Sequence, residues 1–306
     1  MNISVIIPAY KARKFLPDCL ESIGRQTLAA AEVLVIDDAS PEPIDDIVKS
    51  FATIVGYPQI RLLKHEVNRG QAAGRNTGMN AASGDWLAFI DCDDIWASNH
   101  LESVFKSVQH ANADLGFCPA ILFKENPYRT DNFCLGPENE DEKLMRPLSF
   151  LNRCFIITSS TIIKKKSLIQ IGGFDESPGL RGVEDLDCFL RLLKDGAGFT
   201  MASQPTLYYR KHSGSATGTV GYLARQDITV KTKHMEWVDG HPSDKRRIIS
   251  ESYWRAAMQL WSAQAPDRFL WVLKAILHSF WNPYFLLKNL VKIAQKSLHI
   301  VRNPVV

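Results

Sequence analysis

An apolar run from Trp86 to Ile90 ends abruptly in the acidic segment Asp91-Cys92-Asp93-Asp94. Such a run predicts a strand buried in a parallel sheet. Ligands of open α/β sheets bind in the crevice beyond the carboxyl ends of the strands, so we expect these acids to line a crevice. Three neighbouring carboxylates repel one another unless a cation is present, and Mg²⁺ or Mn²⁺ is their usual partner. The alternative is a polar loop in which Asp94 caps the next helix.

Two more strands are predicted near the N-terminus. The run Ile3-Ser4-Val5-Ile6-Ile7 stops at Pro8-Ala9-Tyr10, and Val33-Leu34-Val35-Ile36 leads into Asp37-Asp38. Between them, apolar residues at helical spacing predict a helix over about residues 14–25. Strand, helix and strand form a βαβ unit with parallel strands. The sequence therefore predicts an α/β fold in which two strands bring acids to one edge of a sheet.

The turn after the first strand argues against several nucleotide-binding classes. It lacks both the Gly-x-Gly-x-x-Gly of dinucleotide-binding domains and the Gly-x-x-x-x-Gly-Lys of phosphate-binding loops. A sugar-nucleotide pyrophosphorylase is disfavoured because it needs a glycine-rich basic loop at this turn. Haloacid-dehalogenase-like phosphatases also carry Asp-x-Asp after a strand, but we expect their nucleophile on an earlier strand, followed by Thr or Val where this chain has Ile95.

Five motifs, taken in order and spacing, resemble the family 2 glycosyltransferases of GT-A fold over about residues 3–213. They are Val5-Ile6-Ile7-Pro8-Ala9-Tyr10, Val35-Ile36-Asp37-Asp38-Ala39-Ser40, Asn68-Arg69-Gly70 with Arg75-Asn76-Thr77-Gly78, Phe89-Ile90-Asp91-Cys92-Asp93-Asp94, and Gly172-Gly173-Phe174-Asp175-Glu176 followed by Glu184-Asp185. The resemblance implies a Rossmann-like, mostly parallel central sheet flanked by helices. It also implies an inverting transfer of a sugar from a nucleoside diphosphate, most commonly uridine diphosphate, to a hydroxyl. A catalytically silent nucleotide-binding scaffold is the alternative.

The resemblance implies a metal site and a nucleotide site. Asp93 would bind the Mn²⁺ or Mg²⁺ that bridges the donor phosphates, with Asp91 near the ribose or the metal and His212 within reach of the metal. The residues expected at the nucleotide are Pro8, Ala9, Tyr10, Asp38, Gly70, Arg75 and Asp91. Gly70 opens a segment of small residues, where we expect backbone to approach a ligand closely. Arg75 would either bind nucleotide oxygens or pair with Asp37 or Asp91.

The acceptor side is expected at the pair Glu184-Asp185. An inverting displacement needs a base near the attacking hydroxyl, and the resemblance implies that Asp185 is this base and that Glu184 contacts the acceptor. A helix is predicted to begin at this pair, so the alternative is that both are favourable acids at a helix N-terminus. A strand is predicted over Ser159–Ile163, with hydroxyls facing the donor sugar.

Charge divides the chain into two parts. Residues 216–306 carry 13 Lys and Arg against 6 Asp and Glu, whereas residues 1–215 have a net charge of −4. The resemblance implies a catalytic domain over residues 1–215, with a nucleotide-sugar half at about 1–125 and an acceptor half at 126–215. The basic, Trp-rich region 216–306 is expected to be helical. Lys288, Lys292 and Lys296 recur every four residues on one side of an amphipathic helix.

A basic amphipathic helix favours an anionic membrane surface. We expect a cytoplasmic protein that lies peripherally on the inner face of the membrane and extends a glycan or a lipid-linked acceptor. Packing of these helices on the catalytic core, or a homodimer, is the alternative. No signal peptide, membrane-spanning segment or nucleic-acid-binding motif is expected. Six cysteines without metal-ligand spacing fit a reducing compartment.

Overall fold

The chain divides into two compact units, Met1–Ser213 and Gly214–Val306. The computed structural model describes residues 2–127, 133–212 and 222–302, with side chains to residue 296. The sequence places the boundary between residues 215 and 216, two residues later. The division of the first unit into halves at residue 125 stays a prediction.

The first unit alternates strands and helices. Its strands are β1 (Ile3–Ala9), β2 (Glu32–Asp37), β3 (Gln59–Lys64), β4 (Trp86–Phe89), β5 (Ile95–Trp96), β6 (Leu115–Phe117), β7 (Ala120–Phe123), β8 (Cys134–Leu135), β9 (Ile162–Lys164), β10 (Phe199–Met201) and β11 (Leu207–Arg210). Its helices are α1 (Leu16–Gly24), α2 (Asp45–Ala52), α3 (Gln71–Ala81), α4 (His100–Ala111), α5 (Glu140–Lys143), α6 (Pro147–Asn152), α7 (Lys165–Gln170) and α8 (Glu184–Lys194).

A seven-stranded sheet forms the centre of this unit, in the order β10-β6-β9-β4-β1-β2-β3. Its neighbours pair in parallel except at β9, which is antiparallel to β4 and β6. Every residue of β1 and β2 is buried, as a strand covered on both faces requires. This confirms the expected mostly parallel sheet. Because β1 lies between β4 and β2, the acidic ends of β4 and β2 meet at the same edge.

A second, four-stranded sheet, in the order β5-β11-β7-β8, was not predicted from the sequence. Two of its strands have only two residues each, too short for a recognisable pattern. β5 directly follows Asp94, and β11 pairs with it antiparallel. The small sheet therefore carries Arg210 and His212 back to the end of β4.

The strand predicted over residues 159–163 is only partly present. Thr158–Ser160 form a 3₁₀ turn, and the strand begins at Ile162. Hydroxyl groups explain the turn, because the Thr161 Oγ1 donates to the Thr158 carbonyl and the Ser160 Oγ donates to the Ile157 carbonyl, both at 2.7 Å. Such local bonds compete with strand pairing.

The second unit is helical in its described part, as expected. Its helices are α9 (Tyr222–His234), α10 (Pro242–Ser262), α11 (Arg268–Leu277) and α12 (Pro283–Arg302). Its core gathers Trp254, Ala257, Ala275 and Ile293. Lys231 is buried against Asp227, with 2.9 Å between its Nζ and the carboxylate, so burial lowers the pKa of this lysine although the carboxylate opposes the shift. No helix among the described residues combines the length and the apolarity that crossing a bilayer requires.

One side of α11, α12 and the turn between them is apolar and open to solvent. We call this surface the exposed apolar face; its residues are Phe269, Leu273, Leu277, Phe280, Tyr284, Leu287 and Val291. They follow one another at intervals of three or four residues, which places those within each helix on one side of it. The opposite sides of α11 and α12 pack on the core, through residues such as Ala275 and Ile293.

Candidate active site

The end of β4 holds three acids in three different environments. The Asp94 side chain is buried and accepts a hydrogen bond from the Arg210 amide at 3.0 Å. Its other oxygen has no protein partner among the described residues. Asp93 is half-buried, and its Oδ2 lies 2.9 Å from the His212 Nε2. Asp91 is half-buried and accepts a hydrogen bond from Arg75 at 2.9 Å. Of the three carboxylates, that of Asp91 alone accepts a hydrogen bond from an arginine side chain among the described residues.

Crowding makes ionisation costly at this strand end. Burial, followed by the charge of Asp91, raises the pKa of Asp93 despite the contact with His212. Burial raises the pKa of Asp94 well above its usual range, and the charges of Asp93 and Asp91 add to the effect. Buried carboxylates that lack compensating positive charge are expected to behave in this way. The site therefore has an excess of negative charge that a cation would neutralise.

Arg75 joins this strand end to the start of α8. Its guanidinium donates to Asp91 at 2.9 Å and to Glu184 at 2.8 Å, and both Arg75 and Glu184 are buried. Burial opposes the charged guanidinium, but the carboxylates of Asp91, Glu184 and Asp185 outweigh it and raise the pKa of Arg75. The expected pairing with Asp91 is present, whereas the bond to Glu184, 109 residues away, was not predicted.

Asp185 lies beside Glu184 in the first turn of α8. Its Oδ1 accepts the Leu186 amide at 2.7 Å, and its Oδ2 accepts the Thr158 hydroxyl at a long 3.4 Å. Burial and the neighbouring Glu184 raise the pKa of Asp185 to about 6, although Arg75 opposes the shift. A carboxyl with a pKa near working pH is well suited to accept a proton. Thr158 is a site residue for which the sequence offered no signal.

The acid at the end of β2 is bonded within the protein. Both carboxylate oxygens of the buried Asp38 accept protein donors: the Arg69 amide at 2.8 Å, the Gly70 amide at 2.7 Å, and the His65 Nδ1 at 2.7 Å. The Asp38 carboxylate and the Gly70 amide thus bond to each other within the protein, and their expected contacts with a nucleotide stay predictions. Asp38 fixes the loop that leads into α3.

The small residues of α3 also have a structural role. A Cβ added at Gly74 would lie 3.0 Å from the Pro8 Cβ, and one added at Gly78 would lie 2.5 Å from the Ile6 Cγ2. Glycine at these two positions therefore lets α3 approach β1 closely. Pro8 and Ala9 are buried, whereas Tyr10 is 45% exposed at the end of β1. Of these three predicted base contacts, Tyr10 alone presents its side chain to solvent.

The predicted metal ligands are brought together in part. Among the residues that the structure describes, no three Asp, Glu, His or Cys side chains form a group arranged to hold a metal ion. Asp93 and His212 are adjacent, while Asp91 is bonded to Arg75. The remaining donors fit Mg²⁺ or Mn²⁺, because these ions prefer carboxylate oxygen, and Asp93 lies beside the carboxylate of Asp91.

Arg210, the last residue of β11, connects the end of β4 to α1. Its guanidinium donates to the Asp93 carbonyl at 2.8 Å and to the Asp18 carboxylate at 2.9 Å, and it lies between the rings of Phe15 and Phe123. Its side chain is buried. Arg210 therefore supports the backbone at the end of β4.

Comparison with known proteins places this geometry in a family. Residues 4–172, more than half of the chain, match the family described as Glycosyl transferase family 2. An uncharacterized glycosyltransferase of Haemophilus influenzae is 30% identical over 223 residues, which cover 71% of this chain and 72% of that protein. The glucosyltransferase WfgD of Escherichia coli, named for UDP-Glc and α-D-GlcNAc-diphosphoundecaprenol, is 39% identical over 100 residues, 33% of this chain and 38% of that one.

Two solved structures share the fold at 18% identity. The S. aureus protein TarS in complex with UDP-GlcNAc has a TM-score of 0.66, with 91% of this chain and 81% of that chain covered. The mannosyltransferase PcManGT of Pyrobaculum calidifontis, in complex with GDP-Man and Mn²⁺, has a TM-score of 0.59, with 97% and 87% covered. By family match and by fold, this chain belongs to the family 2 glycosyltransferases and has the GT-A fold.

Proposed function

We propose that the protein transfers a sugar from a nucleoside-diphosphate sugar, first of all a UDP-sugar, to a hydroxyl of a glycan or lipid-linked acceptor in cell-surface polysaccharide or lipopolysaccharide synthesis, with inversion at the anomeric carbon. The observation that carries this proposal is the Arg75 bridge. It ties Asp91, at the strand end where nucleotides bind in α/β folds, to Glu184, the neighbour of Asp185. One buried cation thus fixes the donor side and the acceptor side relative to each other.

In this proposal Asp185 is the general base. It accepts the proton of the attacking hydroxyl while the acceptor oxygen forms a bond to the anomeric carbon. The bond from that carbon to the diphosphate breaks, and the diphosphate leaves with the electron pair. A pKa of about 6 keeps most of the Asp185 carboxyl deprotonated at neutral pH, yet more basic than an ordinary aspartate. Glu184 positions the acceptor side through Arg75.

Asp93 would hold Mn²⁺ or Mg²⁺, with His212 beside it and Asp91 in the surrounding shell. When bound, such an ion neutralises the charge that develops on the departing diphosphate. The arrangement of carboxylates supports this proposal, since burial and then the charge of Asp91 raise the pKa of Asp93. Tyr10, exposed at the end of β1, is the proposed contact for the nucleobase of the donor.

The comparisons support the choice of donor and acceptor class. The relative from E. coli is named for a UDP-sugar and for a diphosphate-linked lipid acceptor. The two structural neighbours were solved with UDP-GlcNAc and with GDP-Man. We therefore propose a lipid-linked acceptor presented at the cytoplasmic face of a membrane, with this protein acting there peripherally.

A ligand panel tests the donor site. Thermal unfolding would be followed with the diphosphates of uridine, thymidine, guanosine and cytidine, each with and without Mn²⁺. A nucleotide at 100 times its dissociation constant stabilises the native state by roughly 2.7 kcal/mol. We expect a Mn²⁺-dependent rise in the unfolding temperature with one of the four nucleotides, and we expect Asp93→Ala to lose it. Asp85→Ala is the control and should keep it, because Asp85 is exposed and precedes β4 at the opposite end of the strand. If no nucleotide shifts the transition, the proposed donor site is contradicted.

A second experiment tests the role of Asp185 as the general base. Asp185→Asn would be compared with Asp195→Asn, an exposed acid at the other end of α8. The assay would use sugar donors that carry the nucleoside identified by the panel, together with lipid-linked acceptors. We expect Asp185→Asn to lose about 10²–10⁴-fold in kcat, with nucleotide binding retained. NMR of the product would show the anomeric configuration. Full activity in Asp185→Asn, or a product of retained configuration, would contradict the proposed mechanism.

A further inference from the structure

The exposed apolar face of the second unit has no role in the proposed chemistry. Its side chains are strongly exposed for their type: 78% for Tyr284, 63% for Phe280 and 62% for both Phe269 and Leu287. Several exposed apolar side chains on one side of a helix mark an interaction site, whereas single exposed apolar residues are normal. The face combines aliphatic with aromatic side chains, and aromatic rings are enriched at the boundary between water and lipid.

The charge around this face has a single sign. Lys274 on α11 and Lys288 and Lys292 on α12 flank the apolar residues, and Lys288 and Lys292 are exposed. The sequence from residue 268 to residue 306 contains no Asp or Glu. The nearest preceding acid, Asp267, is paired with Arg225 at 2.7 Å. A partner for this face therefore has to supply the negative charge.

A cavity of about 370 Å³ adjoins one end of the exposed apolar face. It shares Leu277 with the face and is also lined by Trp281, His278, Lys245 and Arg246. Lys245 donates to the Met235 carbonyl at 2.9 Å, and Arg246 is exposed. The cavity thus places two cationic side chains beside an apolar edge, which suits an anionic group attached to an apolar chain.

We propose that α11 and α12 lie in the interface of an anionic lipid bilayer, with the exposed apolar face among the acyl chains and the flanking lysines at the headgroups. Helices with this division of residues bind membranes in this orientation. A second copy of this chain is a poorer occupant, because two such faces would bring lysines against lysines without an acid to pair them. Membrane binding would give the enzyme access to a lipid-linked acceptor. Only this purpose rests on the proposed function.

Flotation of the full-length protein with lipid vesicles tests the charge requirement. Vesicles of phosphatidylcholine and phosphatidylglycerol in equal parts would be compared with pure phosphatidylcholine. We expect binding to the anionic vesicles only, and weaker binding at high salt. Each basic residue near an anionic surface strengthens binding by about fivefold, so Lys288→Glu with Lys292→Glu should weaken it by at least about 25-fold. Lys49→Glu with Lys166→Glu, exposed lysines of the first unit, is the matched control.

A second pair of variants tests the apolar requirement. Tyr284→Ser with Leu287→Ser should abolish flotation, whereas Val55→Ser with Ile169→Ser, which removes exposed apolar side chains elsewhere, should not. Circular dichroism would verify that each variant is folded. Equal flotation of face and control variants overturns the proposal. The proposal is also overturned if Tyr284→Ser with Leu287→Ser changes the sedimentation coefficient but not vesicle binding, because the exposed apolar face then joins two copies of the chain. The assay contains no donor or acceptor, so failure of the proposed chemistry leaves its outcome unchanged.

Discussion

The ends of β2 and β4 look alike in sequence and differ in structure. Each is an apolar strand that runs into consecutive acids, at Asp37-Asp38 and at Asp91-Cys92-Asp93-Asp94. At β2, Asp38 is surrounded by two backbone amides and a histidine within 2.8 Å. At β4, Asp93 has other carboxylates for neighbours and one histidine at 2.9 Å.

The difference shows how a structural acid is distinguished from a functional one. A carboxylate whose oxygens all accept protein donors has a satisfied charge and stabilises a loop. A carboxylate held among other carboxylates destabilises its own ionised form, and native proteins keep such an arrangement where a cation or a reaction uses it. Removing an acid should therefore reduce stability at β2 and reduce function at β4.

The largest effect is expected for Asp93→Asn. Loss of the proposed metal ligand should lower kcat/KM by about 10³-fold or more, since a metal ion contributes several kcal/mol to transition-state stabilisation. The free energy of unfolding should stay the same or rise, because a buried negative charge disappears from a crowded site. Steady-state kinetics across a range of Mn²⁺ concentrations and urea unfolding would measure the two quantities. Normal activity, or a large loss of stability, would remove the distinction between the two strand ends.

The opposite outcome is expected for Asp38→Ala. Three donors would lose their acceptor in a buried setting, so the free energy of unfolding should fall by about 2–4 kcal/mol. Urea unfolding measures this change. Asp46→Ala, which removes an exposed carboxylate paired with Arg13, is the control and should change stability far less. If Asp38→Ala unfolds like the wild type but no longer binds nucleotide, Asp38 is a ligand contact after all.

A smaller effect is expected at Arg75, the residue that connects the β4 end to α8. Arg75→Lys keeps the charge but loses the planar fork that reaches Asp91 and Glu184 together. We expect kcat/KM to fall about 10- to 30-fold while metal-dependent nucleotide binding persists. Arg61→Lys, at a half-exposed pair with Glu32, is the control. Unchanged kinetics in Arg75→Lys would mean that the two halves of the site are positioned independently.

Local sequence patterns predicted the elements that bear the site. The buried strands β1, β2 and β4 have continuous apolar runs, and the helix expected at Glu184 begins there. The small second sheet was not predicted, because its two-residue strands are stabilised by pairing with distant segments rather than by a pattern of their own. Boundaries were less certain where hydroxyl side chains bond to nearby carbonyls, as at Thr161.

Partners of buried polar groups were harder to predict than the positions of these groups. The bond between Arg75 and Asp91 was expected. The bond to Glu184 was not, because Glu184 lies 109 residues away on a different helix. The bonds that Asp38 accepts from backbone amides were not predicted, because these amides have no side-chain signature in the sequence. Glycines in α3 indicated close approach correctly but not the approaching partner, which is the sheet.

The smallest effect expected is a pH dependence of activity. It extends the comparison from the ends of β2 and β4 to Asp185 at the start of α8. Asp185 is a base only when deprotonated, and its pKa is raised to about 6, so activity should be full at neutral pH, about half at pH 6, and tenfold lower for each further unit. The logarithm of kcat/KM against pH, at saturating Mn²⁺, would show this limb, and Asp195→Asn should reproduce it. A limb near pH 4 would indicate an ordinary, solvated carboxyl at Asp185. The base would then have to be sought elsewhere.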